Sequence, residues 1–302
     1  MPKSLKDPTT YTEQLARFQS RNMVVDDEAK ALLDLRACNY YRVCGYCYQF
    51  FNAKGNYKNG TSFEVVMRLY HFDSRLRHIL LIPLESAEIY ARTMIAYGFS
   101  HNYGSAGHYE KSNFRSETLY QTFWENMHDQ IEKNKDSLIV SHHKENYDGK
   151  MPLWAMVEIM SFTQLSKLFY SITESGQHFI LKDVNKTLNT HFDPETICNW
   201  LHCFSILRNT CAHYGRIYNT ILHPKIRLGP KTLRHYPELQ PDSLFAYIVA
   251  LLRFIPDNAL ISFFRENLIQ HIKNYRDDIH LGLLGFPEQW EQLLYDPQLI
   301  DC

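Results

Sequence analysis

Glycine is scarce, at 12 of 302 residues against about 7% in average usage. That scarcity argues against glycine-rich phosphate loops and against turn-dense β-folds. A surplus of charge of one sign is also missing. Thirty-two Lys and Arg meet 33 Asp and Glu, for a formal net charge of −1, so a polyanion would have to be held by a local patch rather than a bulk field. No apolar stretch approaches the roughly 20 residues of a membrane-spanning helix; the longest, Leu244 to Leu252, stops at Arg253. The opening MPKSLKDPTT holds charges and two prolines but no apolar core, so no secretory leader is expected. Seven cysteines, an odd number, then point to thiols in a reducing cytoplasm rather than a disulfide framework. Internal repeats and sustained alternating strand patterns are absent too.

What is present is a chain 45% hydrophobic and long enough for a sizeable core, in one large domain or two, with 15 His, 20 Tyr and 18 Phe. Its period is helical. Thr10 and Glu13 read as a capping box opening a short helix to about Ser20. Asp26 or Asp27 caps a second helix, and NYYRVCGYCYQFF (39–51) is too aromatic to assign to helix or strand. KGNYKNGTS (54–62) is a turn cluster, after which Thr61 and Glu64 form a capping box for a long helix that Pro83 should kink or break. That helix resumes to about Phe99, and SHNYGSAGHY (100–109) is a loop. Further helices are expected at 116–135, 153–172, 194–215, 242–255 and 257–275, with a short one near 287–295. HHKENYDGKMP (142–152) reads as a linker and HPKIRLGPKTLRHYP (223–237) as a basic loop. The expected fold class is all-α, with room for one small hairpin, in three segments: 1–60, helical and aromatic; 61–222, a helical core; 223–302, the basic loop and C-terminal helices.

The segment ICNWLHCFSILRNTCAHYGRIYN (197–219) carries the chemistry. Ile197, Trp200, Leu201, Phe204, Leu207, Cys211 and Tyr214 fall at steps of 3 and 4 and define a buried stripe. His202, Ser205, Asn209, His213 and Arg216 define a second, polar stripe. Arg208 stands about 140° from His213 on an ideal helix, so only its long side chain reaches the same site. Arg offers a planar fork matched to phosphate. His moves protons near neutral pH. Asn orients the imidazole or holds a phosphate oxygen. The set suits RNA transesterification, in which the substrate's own 2′-OH attacks phosphorus. Such a reaction requires no metal, and no cofactor is expected. The same residues also fit a solvated face or a satisfied buried pair.

RNTCAH (208–213) resembles the R-N-x-x-x-H form of the motif of HEPN domains, helical ribonuclease and nucleotide-binding modules. With NYYRVCGY (39–46), PLWAMVEIMSFTQLSKLFYSI (152–172) and RNTCAHYGRIYN (208–219), the chain resembles the Abi-like family, abortive-infection proteins of the AbiD/AbiF type. The resemblance implies a HEPN-like bundle with added N- and C-terminal helices and a cytoplasmic phage-defence or toxin-like ribonuclease. It further implies action on RNA as a homodimer, restrained by an RNA or protein antitoxin and not tied to a membrane. It makes Arg208, Asn209 and His213 catalytic, with Tyr214, Arg216, Tyr218 and Asn219 shaping the substrate site. Because each chain has one motif and acid–base transesterification uses an acid and a base, a two-fold axis would complete the site. The reading from another class is a non-catalytic RNA-binding module.

Around the motif, Glu158 and Ser161 sit among apolar neighbours, where a carboxylate needs a partner; Arg208 or Arg216 is the expected one, with His202 and Ser205 also supporting the site. Glu85, Glu88 and Arg92 read as a surface ion-pair ladder or an RNA-lining set. Lys225 and Arg227, with Lys231, Arg234, His235 and Tyr236, read equally as an RNA-contacting loop or a solvated one. Tyr40, Tyr41 and Tyr46 beside Arg42 are core aromatics or a stacking platform. Cys44 and Cys47 form a CxxC, but zinc needs a second pair, and partly buried free thiols are expected.

Overall fold

The computed structural model describes residues 5–300. Its helices run in the order α1 (Tyr11–Gln19), α2 (Glu28–Ala37), α3 (Tyr40–Cys47), α4 (Phe63–Tyr103), α5 (Glu117–Lys133), α6 (Leu138–Asn146), α7 (Leu153–Met156), α8 (Phe162–Ser171), α9 (Glu174–Leu188), α10 (Pro194–Ala212), α11 (Pro230–His235), α12 (Leu244–Phe254), α13 (Asn258–Asn274), α14 (Trp290–Leu293) and α15 (Pro297–Ile300). Among the described residues the only extended pairing is isolated bridges, such as Phe51 with Tyr57. The fold is all-α, and among the described residues no helix is long and apolar enough to cross a membrane.

Local chemistry explains most boundaries. The Thr10–Glu13 capping box forms, each partner accepting the other's amide. The Asp27 carboxylate accepts the Lys30 amide at 2.9 Å and starts α2. The undecided aromatic segment is helical, capped by Asn39. For α4 the cap is Ser62, whose hydroxyl accepts the Val65 amide at 3.2 Å, and not Thr61, which is buried. Pro83 does not interrupt this 41-residue helix, although it removes one backbone donor. The expected linker at 142–152 contains most of the second half of α6, capped by Ser137.

The chain divides into two compact units: the described parts of Met1–Arg77 with Leu268–His280, and of His78–Asn267 with Leu281–Cys302. In the first, Phe18 packs on Tyr40, Tyr57 and Phe63. Asp73 and Arg77 form a buried ion pair joined by the Tyr46 hydroxyl, which donates to Asp73 at 2.6 Å. Tyr46 is therefore a core residue, whereas Tyr41 is 80% exposed. Cys47 is fully buried, and burial pushes its thiol up to about 12; Cys44 is pushed up as well. Among the described residues no three His, Cys, Asp or Glu side chains gather as metal ligands.

In the second unit the apolar run noted in the sequence becomes α12, buried from Leu244 to Leu252, as a helix apolar on all sides must be. Helix α10 packs against α8, α9 and α12. Gly98 lets α4 approach α9: a Cβ there would stand 2.9 Å from the Ile180 backbone.

Candidate functional site

Helix α10 begins where expected, with the Asp193 carboxylate accepting the Thr196 amide at 2.7 Å and Pro194 in the first turn. Ile197, Trp200, Leu201, Phe204, Leu207 and Cys211 are all buried. The helix ends earlier than its period suggests, at Ala212. The Gly215 amide donates to the Thr210 carbonyl at 2.7 Å and the Tyr214 amide to that of Cys211 at 3.3 Å, the paired closure of a Schellman motif. This closure needs a left-handed residue, and that residue is Tyr214, at φ 62°. Its side chain is consequently 65% exposed rather than part of the apolar stripe. Gly215 is required next: a Cβ would come within 2.7 Å of Thr210 Cγ2.

The polar stripe is thereby cut. His213 is the C-cap residue, its amide held by the Asn209 carbonyl at 2.9 Å and its side chain exposed. Arg216 lies past the helix end. Ser205 is fully buried and donates to the His202 carbonyl at 2.9 Å, while the His202 side chain is exposed. Tyr218 is buried and Asn219 exposed, the latter at φ 53°.

The partner of Arg208 is Glu88, not Glu158. Arg208 Nε lies 3.1 Å from Glu88 Oε2, and Glu88 Oε1 accepts from Arg92 Nη1 at 3.0 Å. Glu88 is 8% exposed, so the surface ladder expected of it is a buried bridge. It was legible in principle: Leu84, Glu88, Ala91 and Ile95 share one buried stripe of α4. Arg92 also donates Nε to the Val157 carbonyl at 3.1 Å and Nη2 to that of Met160 at 2.5 Å. On its other side, Arg208 Nη1 donates to Asn209 Oδ1 at 3.2 Å, and Asn209 Nδ2 donates to Thr163 Oγ1 on α8 at 3.2 Å. The result is a closed ring through α4, the entry to α8, and α10. Beside it, Leu81, Glu85, Glu88, Ile89, Arg92, Arg208 and Ala212 line a groove of about 380 Å³.

Glu158 is exposed because the apolar segment 153–172 is not one helix. It breaks into α7, a 3₁₀ turn at Val157–Ile159, and α8, and the turn carries Glu158 outward. Ser161 caps α8 in a capping box with Gln164. The basic loop is partly neutralised: Lys225 pairs with Asp242 at 3.1 Å and Arg227 with Glu195 at 2.9 Å. Its backbone is tied to α10 by Asn199, and Trp200 Nε1 donates to the Arg227 carbonyl at 2.7 Å. Tyr236 is buried and donates to Asp296 at 2.6 Å, so it offers no stacking surface. Burial pushes the thiols of Cys198 and Cys203 up to about 11; neither supplies a thiolate near neutral pH. The end of α10 thus brings together a guanidinium, an amide and an exposed imidazole, those of Arg208, Asn209 and His213.

A family model described as Abi-like protein matches residues 34–219. No curated protein and no solved structure matches the chain significantly. The matched stretch covers well over half of the chain and reaches from α2 past the end of α10, and the chain belongs to the Abi-like protein family.

Proposed function

We propose that the protein is a phage-defence or toxin-type endoribonuclease that cleaves RNA by transesterification. His213 takes the proton of the 2′-hydroxyl. The 2′-oxygen attacks the adjacent phosphorus, Arg208 offsets the charge that develops on the phosphate, and the 5′-oxygen leaves with a proton. The products carry a 2′,3′-cyclic phosphate and a 5′-hydroxyl. A second copy of the chain, related by a two-fold axis, supplies the second proton-transfer group. The nucleophile belongs to the substrate, so this chemistry requires no metal. An antitoxin, RNA or protein, fits the toxin-type reading as a restraint.

The observation that carries the reading is the arrangement at the end of α10. An anchored guanidinium–amide pair, Arg208 and Asn209, stands one turn before an exposed imidazole at the C-cap. The burial of Tyr218 and the ion pairs of Lys225 and Arg227 leave substrate contact to Tyr214, Arg216 and Asn219. The engagement of Arg208 by Glu88 favours a second reading, in which the same end of α10 grips RNA without cutting it.

Incubation with total RNA distinguishes them. The ribonuclease cleaves in excess EDTA, leaves cyclic-phosphate ends, and spares a substrate with a 2′-deoxy sugar at the cut. The His213→Ala protein binds but does not cleave. Cleavage lost on chelation and restored by Mg²⁺ overturns the mechanism; RNA bound and never cut by the dimer selects the second reading.

A further inference from the structure

Helix α4 carries more than Glu88 and Arg92. Residues 85, 89, 93, 97 and 101 are all exposed and recur every four positions, so they form one ridge. Its far end borders a second groove, of about 490 Å³, which begins at Arg92 and is lined by Tyr97, Ser100, His101, Trp154 and Glu158 among others. Two of these rings are unusually bare: Tyr97 is 54% exposed and Trp154 52%. The His101 ring lies 4.0 Å from that of Tyr97, and its Nδ1 is 2.8 Å from the Tyr97 carbonyl. A carbonyl only accepts, so Nδ1 carries a proton, and whenever the ring is neutral Nε2 is left as an acceptor. The Glu158 carboxylate adds a second acceptor. The Ser100 hydroxyl is buried at the floor, without a hydrogen-bond partner among the described residues. Each guanidinium nitrogen of Arg92 already has an acceptor and its charge is paired with Glu88, so the groove presents no uncompensated cation for a phosphate. Aromatic faces, two acceptors and no available cation suit a flat, uncharged ring with amino donors.

We infer that this groove is a subsite for an unpaired, amino-bearing nucleobase of an RNA strand whose phosphate lies at Arg208. The inference rests on the RNA reading of the α10 site. The two grooves share Arg92, and nine residues of α4 separate Glu88 from Tyr97, about 14 Å at 1.5 Å per residue. About four stacked nucleotides at about 3.4 Å each span that distance, and fewer if the strand is extended. Stacking on Tyr97 and Trp154 supplies affinity. Glu158 and His101 Nε2 accept from adenine N6 or cytosine N4, as carboxylates do from cytosine in nucleic-acid recognition, and neither finds such a donor on uracil's O4 edge. Duplex RNA, with its bases stacked inside, is excluded.

The test uses a fluorescein-labelled, single-stranded 2′-O-methyl decamer of mixed sequence, read by anisotropy. It lacks the attacking hydroxyl and reports binding whether or not the chain cuts. Tyr97→Ala and Trp154→Ala each weaken binding about 5- to 150-fold, the range expected of one base–aromatic stack. Trp154→Phe restores most of the affinity. Replacing A and C by U throughout weakens wild-type binding, and Glu158→Ala reduces that preference. Unchanged affinity in both alanine variants overturns the inference, as does failure of the wild type to bind any single strand. Light scattering supplies the other contradiction: if Trp154→Ala converts a dimer to a monomer, the groove is a copy-to-copy interface instead. Aromatic-dependent binding with no cleavage of natural RNA leaves the subsite standing and removes the ribonuclease reading. His213-dependent cleavage indifferent to Tyr97 and Trp154 does the reverse.

Discussion

Removing the Glu88 carboxylate tests whether the α4–α10 bridge both stabilises the fold and positions Arg208. Glu88 and Arg92 side chains are 10% and 16% exposed, so the loss of their charge-assisted bond costs about 1.5–3 kcal/mol. The Glu88–Arg208 contact is discounted, because Arg208 is 37% exposed and water screens it; about 0–1 kcal/mol is its share. Glu88→Ala is therefore expected to destabilise by about 3 kcal/mol. For a unit of this size that corresponds to roughly 6–12 °C in Tm. Glu85→Ala, one turn earlier on the same helix but exposed, should stay within about 0.5 kcal/mol of wild type. Urea unfolding of the two variants, alongside Arg208→Ala and the Glu88→Ala/Arg208→Ala double variant, gives the coupling directly. At a temperature where all remain folded, Glu88→Ala should also cleave RNA more slowly, since its guanidinium partner is no longer held. Equal stability of the Glu85 and Glu88 variants would refute the bridge. A Glu88→Ala protein with lowered Tm and an unchanged rate would show that Arg208 needs no positioning.

Three other outcomes are expected. His213→Ala should lower the cleavage rate about 10²–10⁴-fold with little change in Tm, because its side chain is exposed; paired melting and rate measurements check this. Tyr214→Gly relieves a left-handed tyrosine and should raise stability by about 1 kcal/mol while lowering RNA affinity, read by melting and by anisotropy. Acid should destabilise through His108, which is fully buried and whose imidazole burial pushes down to about 4. The unfolded chain takes up a proton near 6.5 and the folded one does not until about 4. Stability from this group is thus whole above about 6.5 and falls by about 3 kcal/mol as pH drops to about 4. Urea midpoints measured across that range should lose this slope in His108→Gln.

The sequence disclosed what is local. The caps at Thr10, Asp27 and Asp193 and the buried stripe of α10 rest on neighbours within one or two turns, and the helix class follows from their period. The end of α10 is not legible in the sequence, because an exposed tyrosine takes a position usually given to glycine, and no periodicity registers that. Helices α6 and α9 are not legible in the sequence either: α6 carries two adjacent histidines and an asparagine, and α9 is polar over much of its surface. The motif positions Arg208, Asn209 and His213 were visible, but their setting was not. Glu88 stands far from Arg208 in the chain, and the 3₁₀ turn that exposes Glu158 lies inside a stretch whose apolar pattern reads as continuous helix. The charges of Lys225 and Arg227 were plain; the carboxylates of Asp242 and Glu195 that answer them come together only through the tertiary fold.

The ring of contacts from Arg92 through Glu88, Arg208, Asn209 and Thr163 back to the residues before α8 behaves as a braced frame rather than a string. In a string, one broken link separates the ends. In a closed polygon, the first break leaves every member still tied along the remaining sides, and only the second sets a corner loose. Single conservative substitutions around this circuit should therefore be tolerated better than their individual bonds suggest, and pairs on opposite sides should cost more than their sum. A guanidinium held in such a frame has its orientation already settled, so under the proposed RNA reading little ordering is left for the moment a phosphate binds.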